Sequence, residues 1–148
     1  MPLLPKGDGC IGCPLYGDGL GFSAVEGTGA SRLMVVAEAL GQRERAEGLP
    51  LRPNADAGSV FQRACKLAGV DRAQLAITNI VRCQPPGNVL EGAPYEQAAI
   101  AQCSQYLREA VGRFKPRVIL ALGNVALRTL TGLTGRSEER RVGKECRL

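Results

Sequence analysis

Three short apolar runs punctuate the chain: RLMVVAEALG from Arg32, LAITNIVRC from Leu75 to Cys83, and PRVILALG from Pro116. Each is too short for an ordinary helix and rich in aliphatic or β-branched residues, the pattern of a strand buried on both faces. Between them the periodicity changes. Val60, Phe61, Ala64 and Leu67 or Ala68 recur at helical spacing after Ser59, and Gly69 follows as a stop. A longer helical pattern opens with Pro94 in its first turn and runs to Phe114, and Asn124 stands as an N-cap before NVALRTLTG. Gly41 to Gly58 holds Gly48, Pro50, Pro53 and Asn54 between its end glycines, which predicts a loop throughout, and QPPGN after Cys83 predicts another. Strands alternating with helices imply a three-layer α/β/α fold around a mostly parallel sheet. Ligands of such sheets sit beyond the carboxyl ends of the strands, placed here at Glu38, Asn79 and Gly123.

The 148 residues suffice for one domain, and 45% apolar against 22% charged is ordinary for a globular one. No apolar run reaches the ~20 residues of a membrane span, and MPLLPKGDGC lacks the apolar core of a signal peptide. The expectation is a soluble, cytoplasmic protein without a membrane partner. The absence of histidine excludes Ser-His-Asp hydrolases, Cys-His proteases and histidine-ligated zinc within these residues. A formal charge of +5 favours an anionic partner. Residues 136–148, RSEERRVGKECRL, depart from this pattern: they follow Gly135, have no apolar period and carry eight charges. They resemble the read-through translation of a sequencing-library adapter. The expected organisation is therefore a domain over 1–135, incomplete at its end, and a non-native tail over 136–148. Without that tail 14 basic and 11 acidic residues remain, a net of +3. On this reading a final strand and helix are missing, and with them any histidine, which would bare a sheet edge.

Cys10 and Cys13 form a C-x-x-C pair in a Gly-rich leading arm, a spacing that lets two thiolates reach one centre from a single turn. Cys83 closes the second strand and Cys103 lies within the long helix. Two local and two remote thiolates would pin the arm to the domain. They suit zinc or an iron-sulfur cluster equally, and a redox dithiol remains open for the C-x-x-C pair alone. Cys65, on the apolar face of its helix, reads as a small buried hydrophobe.

In order, CIGCPLYGDGLG, VVAEALGQRERAEGLPL, ITNIVRCQPPGN, AQCSQYL and KPRVILALGNVAL resemble the landmarks of family 4 uracil-DNA glycosylases, from Cys10 to about Gly132. The resemblance implies a uracil-DNA glycosylase-like fold lacking its C-terminal part. It also implies a 4Fe-4S cluster on Cys10, Cys13, Cys83 and Cys103 in a structural role. The implied activity is hydrolysis of the N-glycosidic bond of uracil, or a related deaminated base, in DNA, by a monomer; the alternative is a non-catalytic iron-sulfur DNA-binding module. Carried over by position, Glu38 orients water or stabilises the cationic sugar, the backbone of Ala37, Glu38 and Ala39 faces the uracil carbonyls, and the Asn79 amide reads the base edge. Leu51 takes the place of an aromatic stacking platform and forfeits its π-stacking. The chain departs from the family pattern at Ala37, Leu40, Leu51, Val89 and in the spacing before Cys103. Arg43, Arg45, Arg52 and Lys6 are the expected phosphate contacts.

Overall fold

The structure, a computed structural model, describes residues 3–133; the expected boundary at Gly135, the tail of 136–148 and Cys146 lie outside the described residues. Along the chain come a one-turn helix α1 (Leu15–Asp18), β1 (Leu33–Ala39), α2 (Gln42–Glu47), α3 (Asp56–Leu67), β2 (Ala76–Val81), α4 (Glu96–Phe114), β3 (Val118–Ala121) and α5 (Asn124–Thr131). The three strands form one parallel sheet in the order β2-β1-β3. The two parallel crossovers, from β1 to β2 and from β2 past β1 to β3, need covering helices, and the alternation of side chains along each strand supplies two apolar faces for them. Met34, Val36, Ala76 and Ile80 pack with Ala99, Cys103 and Ala110 of α4 and Val125 and Ala126 of α5. Val35, Ala37 and Ile77 pack on the opposite face with Phe61 and Cys65 of α3, and with Leu51. The result is the expected three-layer α/β/α architecture, and Cys65 is the buried hydrophobe its position predicts.

Element ends differ from expectation where flanking residues mislead. The predicted loop after β1 contains α2, six residues closed by Gly48 at φ 69°; its bounding glycines read as turn signals, whereas they are its caps. Helix α3 begins at Asp56 rather than beyond Ser59, because Gly58 lets its first turn lie against the Leu51–Arg52 backbone, where a Cβ would strike the Arg52 carbonyl. Gly123, at φ 89°, takes the N-cap position of α5 expected for Asn124.

The sheet edges are treated unequally. Glu26 forms an antiparallel bridge with Ile77, so the leading segment covers β2. At the other edge Val118, Ile119 and Leu120 of β3 are 58%, 38% and 42% exposed. The leading arm is sewn to α4 by side-chain amides: Gln102 donates to the carbonyls of Gly9 and Ile11 at 2.9 and 3.2 Å, and Gln105 to Gly9 at 2.7 Å.

Candidate functional site

A groove of about 440 Å³ opens at the carboxyl end of β1, lined by Glu38 and Ala39, by the turn from Leu40 into α2, by the start of α3, and by Pro85 and Asn88 beyond β2. It lies where an open parallel sheet places ligands. Glu38 is half-buried on its wall. Desolvation raises its pKa above the ordinary 4.5, the charges of Glu91 and Glu96 push the same way, and Arg128 opposes them. Those three neighbours form their own set. Glu96, 6% exposed, accepts from Arg128 and, at 2.7 Å, from the backbone N–H of Gly92, while Arg128 also reaches Glu91 at 3.6 Å. None of the three stood out in the sequence. They lie 50 to 90 positions from Glu38, and only the packing of α4 and α5 against the sheet brings them near.

Asn79 is not at the last residue of its strand, as its place before the loop suggested, but inside β2, in register with Ala37 of β1. It is 2% exposed, and its amide nitrogen has no hydrogen-bond partner among the described residues. A buried amide left so costs about 1–3 kcal/mol. Ala37 and Leu51 belong to one buried cluster on that face, with Leu51 only 5% exposed and held at a left-handed φ of 47°. Leu51 is thus part of the packed floor under the strand ends rather than an open shelf. Glu38, Ala39 and the PPGN turn share the groove; Asn79, Ala37 and Leu51 lie on the inner side, and β1 links the two.

The second constellation sits beneath α4. Cys10, Cys13, Cys83 and Cys103 line one small cavity, together with Lys6, Leu15, Phe22, Val81, Ala99 and Tyr106. Burial pushes the thiol of Cys83 up to about 11 and that of Cys103 up to about 12, with the neighbouring cysteines adding to both. Such a pocket holds thiolates only if something cationic sits among them. Hydrogen-bonding groups already meet two of the sulfurs: the backbone N–H of Leu15 donates to Cys13 Sγ at 3.4 Å, and the Tyr106 hydroxyl and Cys10 Sγ share a hydrogen bond at 3.2 Å. Among the described residues no three Cys, His, Asp or Glu side chains converge closely enough for a single metal ion.

Two of the four expected phosphate contacts are otherwise engaged. Lys6 donates to the carbonyls of Leu15, Tyr16 and Gly19 at 2.7, 2.7 and 2.5 Å, closing α1 beside Cys83. Arg52 pairs with Glu47 at 2.7 Å and with Glu26 at 3.2 Å, and Arg72 joins Glu26 at 2.8 Å. Arg43 has an exposed pair with Asp56 at 3.4 Å, which binds it weakly, and donates to the Asn54 carbonyl at 3.1 Å, and Arg45 is half-buried. Among the described residues no helix is long and apolar enough to cross a membrane.

Residues 25–145 match the family model described as the uracil DNA glycosylase superfamily. The chain is 36% identical over 133 residues to a type-4 uracil-DNA glycosylase of Pyrobaculum aerophilum, covering 88% of this chain and 64% of that protein. It is 33% identical over 118 residues to one of Thermotoga maritima, covering 80% and 58%. A third, of Sulfurisphaera tokodaii, is 33% identical over 115 residues, covering 77% and 50%. The chain therefore spans between half and two thirds of the length of these relatives.

Proposed function

The chain belongs to the uracil DNA glycosylase superfamily, and from that membership we propose that it is a DNA-repair glycosylase, hydrolysing the bond between uracil and deoxyribose in DNA. The observation that carries this reading is Asn79: a buried amide whose nitrogen lacks a partner among the described residues, in register with Ala37 of β1, the strand whose carboxyl end opens into the groove. A carboxamide both donates and accepts, as a pyrimidine edge requires, and a base drawn out of the helix would satisfy it. The backbone from Ala37 to Ala39 meets the uracil carbonyls, and Leu51 fills the space beneath.

Bond cleavage leaves positive charge on the sugar and negative charge on the departing base. The carboxylate of Glu38, at the groove wall, stabilises the first or holds the attacking water. Burial and its acidic neighbours raise its pKa, so the ionised form that either role needs is reached at higher pH than for a free carboxyl.

Cys10, Cys13, Cys83 and Cys103 hold a 4Fe-4S cluster. The donor set supports this: four thiols from the arm, the end of β2 and α4 line one cavity, with hydrogen-bonding groups at two of the sulfurs. When bound, the cluster supplies a structural crosslink and no redox step, since hydrolysis transfers no electrons. The setting is a monomer in the cytoplasm, where unpaired thiols persist.

Uracil-bearing oligonucleotide incubated with the anaerobically purified protein should acquire alkali-labile abasic sites, and Glu38→Ala should abolish them. Tight uracil binding without base release would instead identify a non-catalytic DNA-binding module, the reading that the buried, non-aromatic Leu51 favours. A colourless protein with stoichiometric zinc would overturn the cluster assignment.

A further inference from the structure

Glu26 is tied to both walls of the space assigned to the base. Its backbone exchanges two hydrogen bonds with Ile77 of β2, each of 2.9 Å, two positions before Asn79. Thr28 and Gly29 continue the contact, their N–H groups donating to the carbonyls of Ala73 and Leu75 at 2.9 and 3.1 Å. Gly27, at φ 87°, permits so close an approach, because a Cβ there would strike the Leu75 carbonyl. The Glu26 side chain therefore starts from a fixed point on β2.

From that point its carboxylate holds the segment that carries Leu51. Arg72 donates to it from Nε and Nη2, both at 2.8 Å, a bidentate pair whose side chains are 11% and 15% exposed. The same Nη2 donates to the Pro50 carbonyl at 3.1 Å, and Arg52 donates to Glu26 at 3.2 Å. The residues on either side of Leu51 are thus both tied to one carboxylate. Leu51 itself, at φ 47°, holds a conformation that a bulky residue keeps only where its surroundings impose it. The Arg72 guanidinium also lies 5.4 Å from the centre of the Phe61 ring, which packs with Leu51 and Ala37. Glu26, Arg52 and Arg72 are not among the residues lining the groove beside Glu38.

Resting on the glycosylase reading above, we propose that Glu26 is a positioning residue for base recognition: through Arg72 and Arg52 it fixes the Pro50–Arg52 turn relative to β2, so that Leu51 and Asn79 offer the uracil ring a space of set width. Leu51 brings no π-stacking, and its contribution rests on close contact, which a gap of less than 1 Å already erodes. The clamp acts on the hold on the base and not on bond cleavage.

The test compares the 148-residue protein with its Glu26→Gln variant on uracil-bearing oligonucleotide. Gln keeps the length of the side chain but not the charge that grips two arginines. KM should rise about tenfold, the worth of one charge-assisted hydrogen bond, with kcat held within about twofold, the signature of lost uniform binding. Affinity for the same oligonucleotide without uracil should not change. Glu26→Gln/Leu51→Ala should raise KM no further than Leu51→Ala alone, since both act through one contact. Glu26→Gln leaves the Arg72 charge buried without its partner; Glu26→Gln/Arg72→Met removes that charge and should regain thermal stability while KM stays high. An unchanged KM in Glu26→Gln overturns the proposal, as do a loss confined to kcat, additive effects on KM, or a return of KM to the parent value once the charge is gone. Amide exchange over residues 48–55 reads the clamp without activity: it should quicken in Glu26→Gln with β1 unaffected, and equal exchange overturns the clamp while leaving the glycosylase reading intact. A parent protein that neither binds nor releases uracil overturns that reading and the role in base recognition with it.

Discussion

Glu38 is half-buried beside Glu91 and Glu96, with Arg128 acting against them, and its pKa lies above 4.5 in the folded chain. A carboxyl whose folded pKa is raised stabilises the fold in its protonated form; that contribution is full below about pH 4.5 and lost as pH rises through the folded value. Glu38→Gln should therefore raise the melting temperature at pH 7 and leave it unchanged near pH 4, while lowering base release by about 10²–10⁴-fold. Equal shifts at both pH values would refute the burial account. Leu51 tests the floor beneath the base. Leu51→Ala should cost about 2–5 kcal/mol in urea unfolding, as for other core leucines; a cost under 1 kcal/mol would mean that the residue is not packed as the structure has it. Glu38, Asn79 and the four cysteines stood out in the sequence as candidates, Glu38, Asn79 and Cys83 at apolar runs, Cys10 and Cys13 by their spacing, and Cys103 through the resemblance. The surroundings of Glu38 were not: Glu91, Glu96 and Arg128 lie on surfaces that meet only after α4 and α5 dock.

Between β1 and α3 a chain of short elements sets the depth of the groove. Helix α2 ends in left-handed Gly48, the loop turns at Leu51, and α3 starts against the Arg52 carbonyl because Gly58 has no side chain there. Gly58→Ala should force that contact apart at a cost of about 1–3 kcal/mol and weaken uracil binding by displacing Leu51. Denaturant midpoints and oligonucleotide affinity would read the two effects; an unchanged midpoint would show that the close approach is dispensable. The strands and the long helix were predictable because their periodicity spans several residues and is reinforced by burial. Helix α2 escaped because six residues between glycines look like a turn, although Gln, Arg, Glu and Ala are all good helix formers. The start of α3 was misplaced for a related reason, since a glycine inside the first turn signals a loop until its close neighbour is known.

Across the whole molecule, the proposed cluster would tie the leading arm to the layers. Its other ties include Gln102 and Gln105 to the Gly9–Ile11 backbone, the bridge between Leu20 and Gln84, and the Ser23 N–H to the Arg82 carbonyl. Cys103→Ala should lower iron content and expose the segment from Gly7 to Gly21 to limited proteolysis before the sheet is cut; protection equal to the parent would show that the arm holds without the centre. The amino-acid sequence by itself determined the layer order, the parallel sheet and the identity of the chemical groups, because apolar periodicity and residue type are local properties that burial can only exploit. Only the tertiary structure decided which charges are engaged. Lys6 and Arg52, read from the chain as open to phosphate, are held by carbonyls and carboxylates. It also decided that the Asn79 amide nitrogen has no partner among the described residues. Partnership and exposure depend on residues far apart in the chain, and on which of them the packed layers bring within hydrogen-bonding distance.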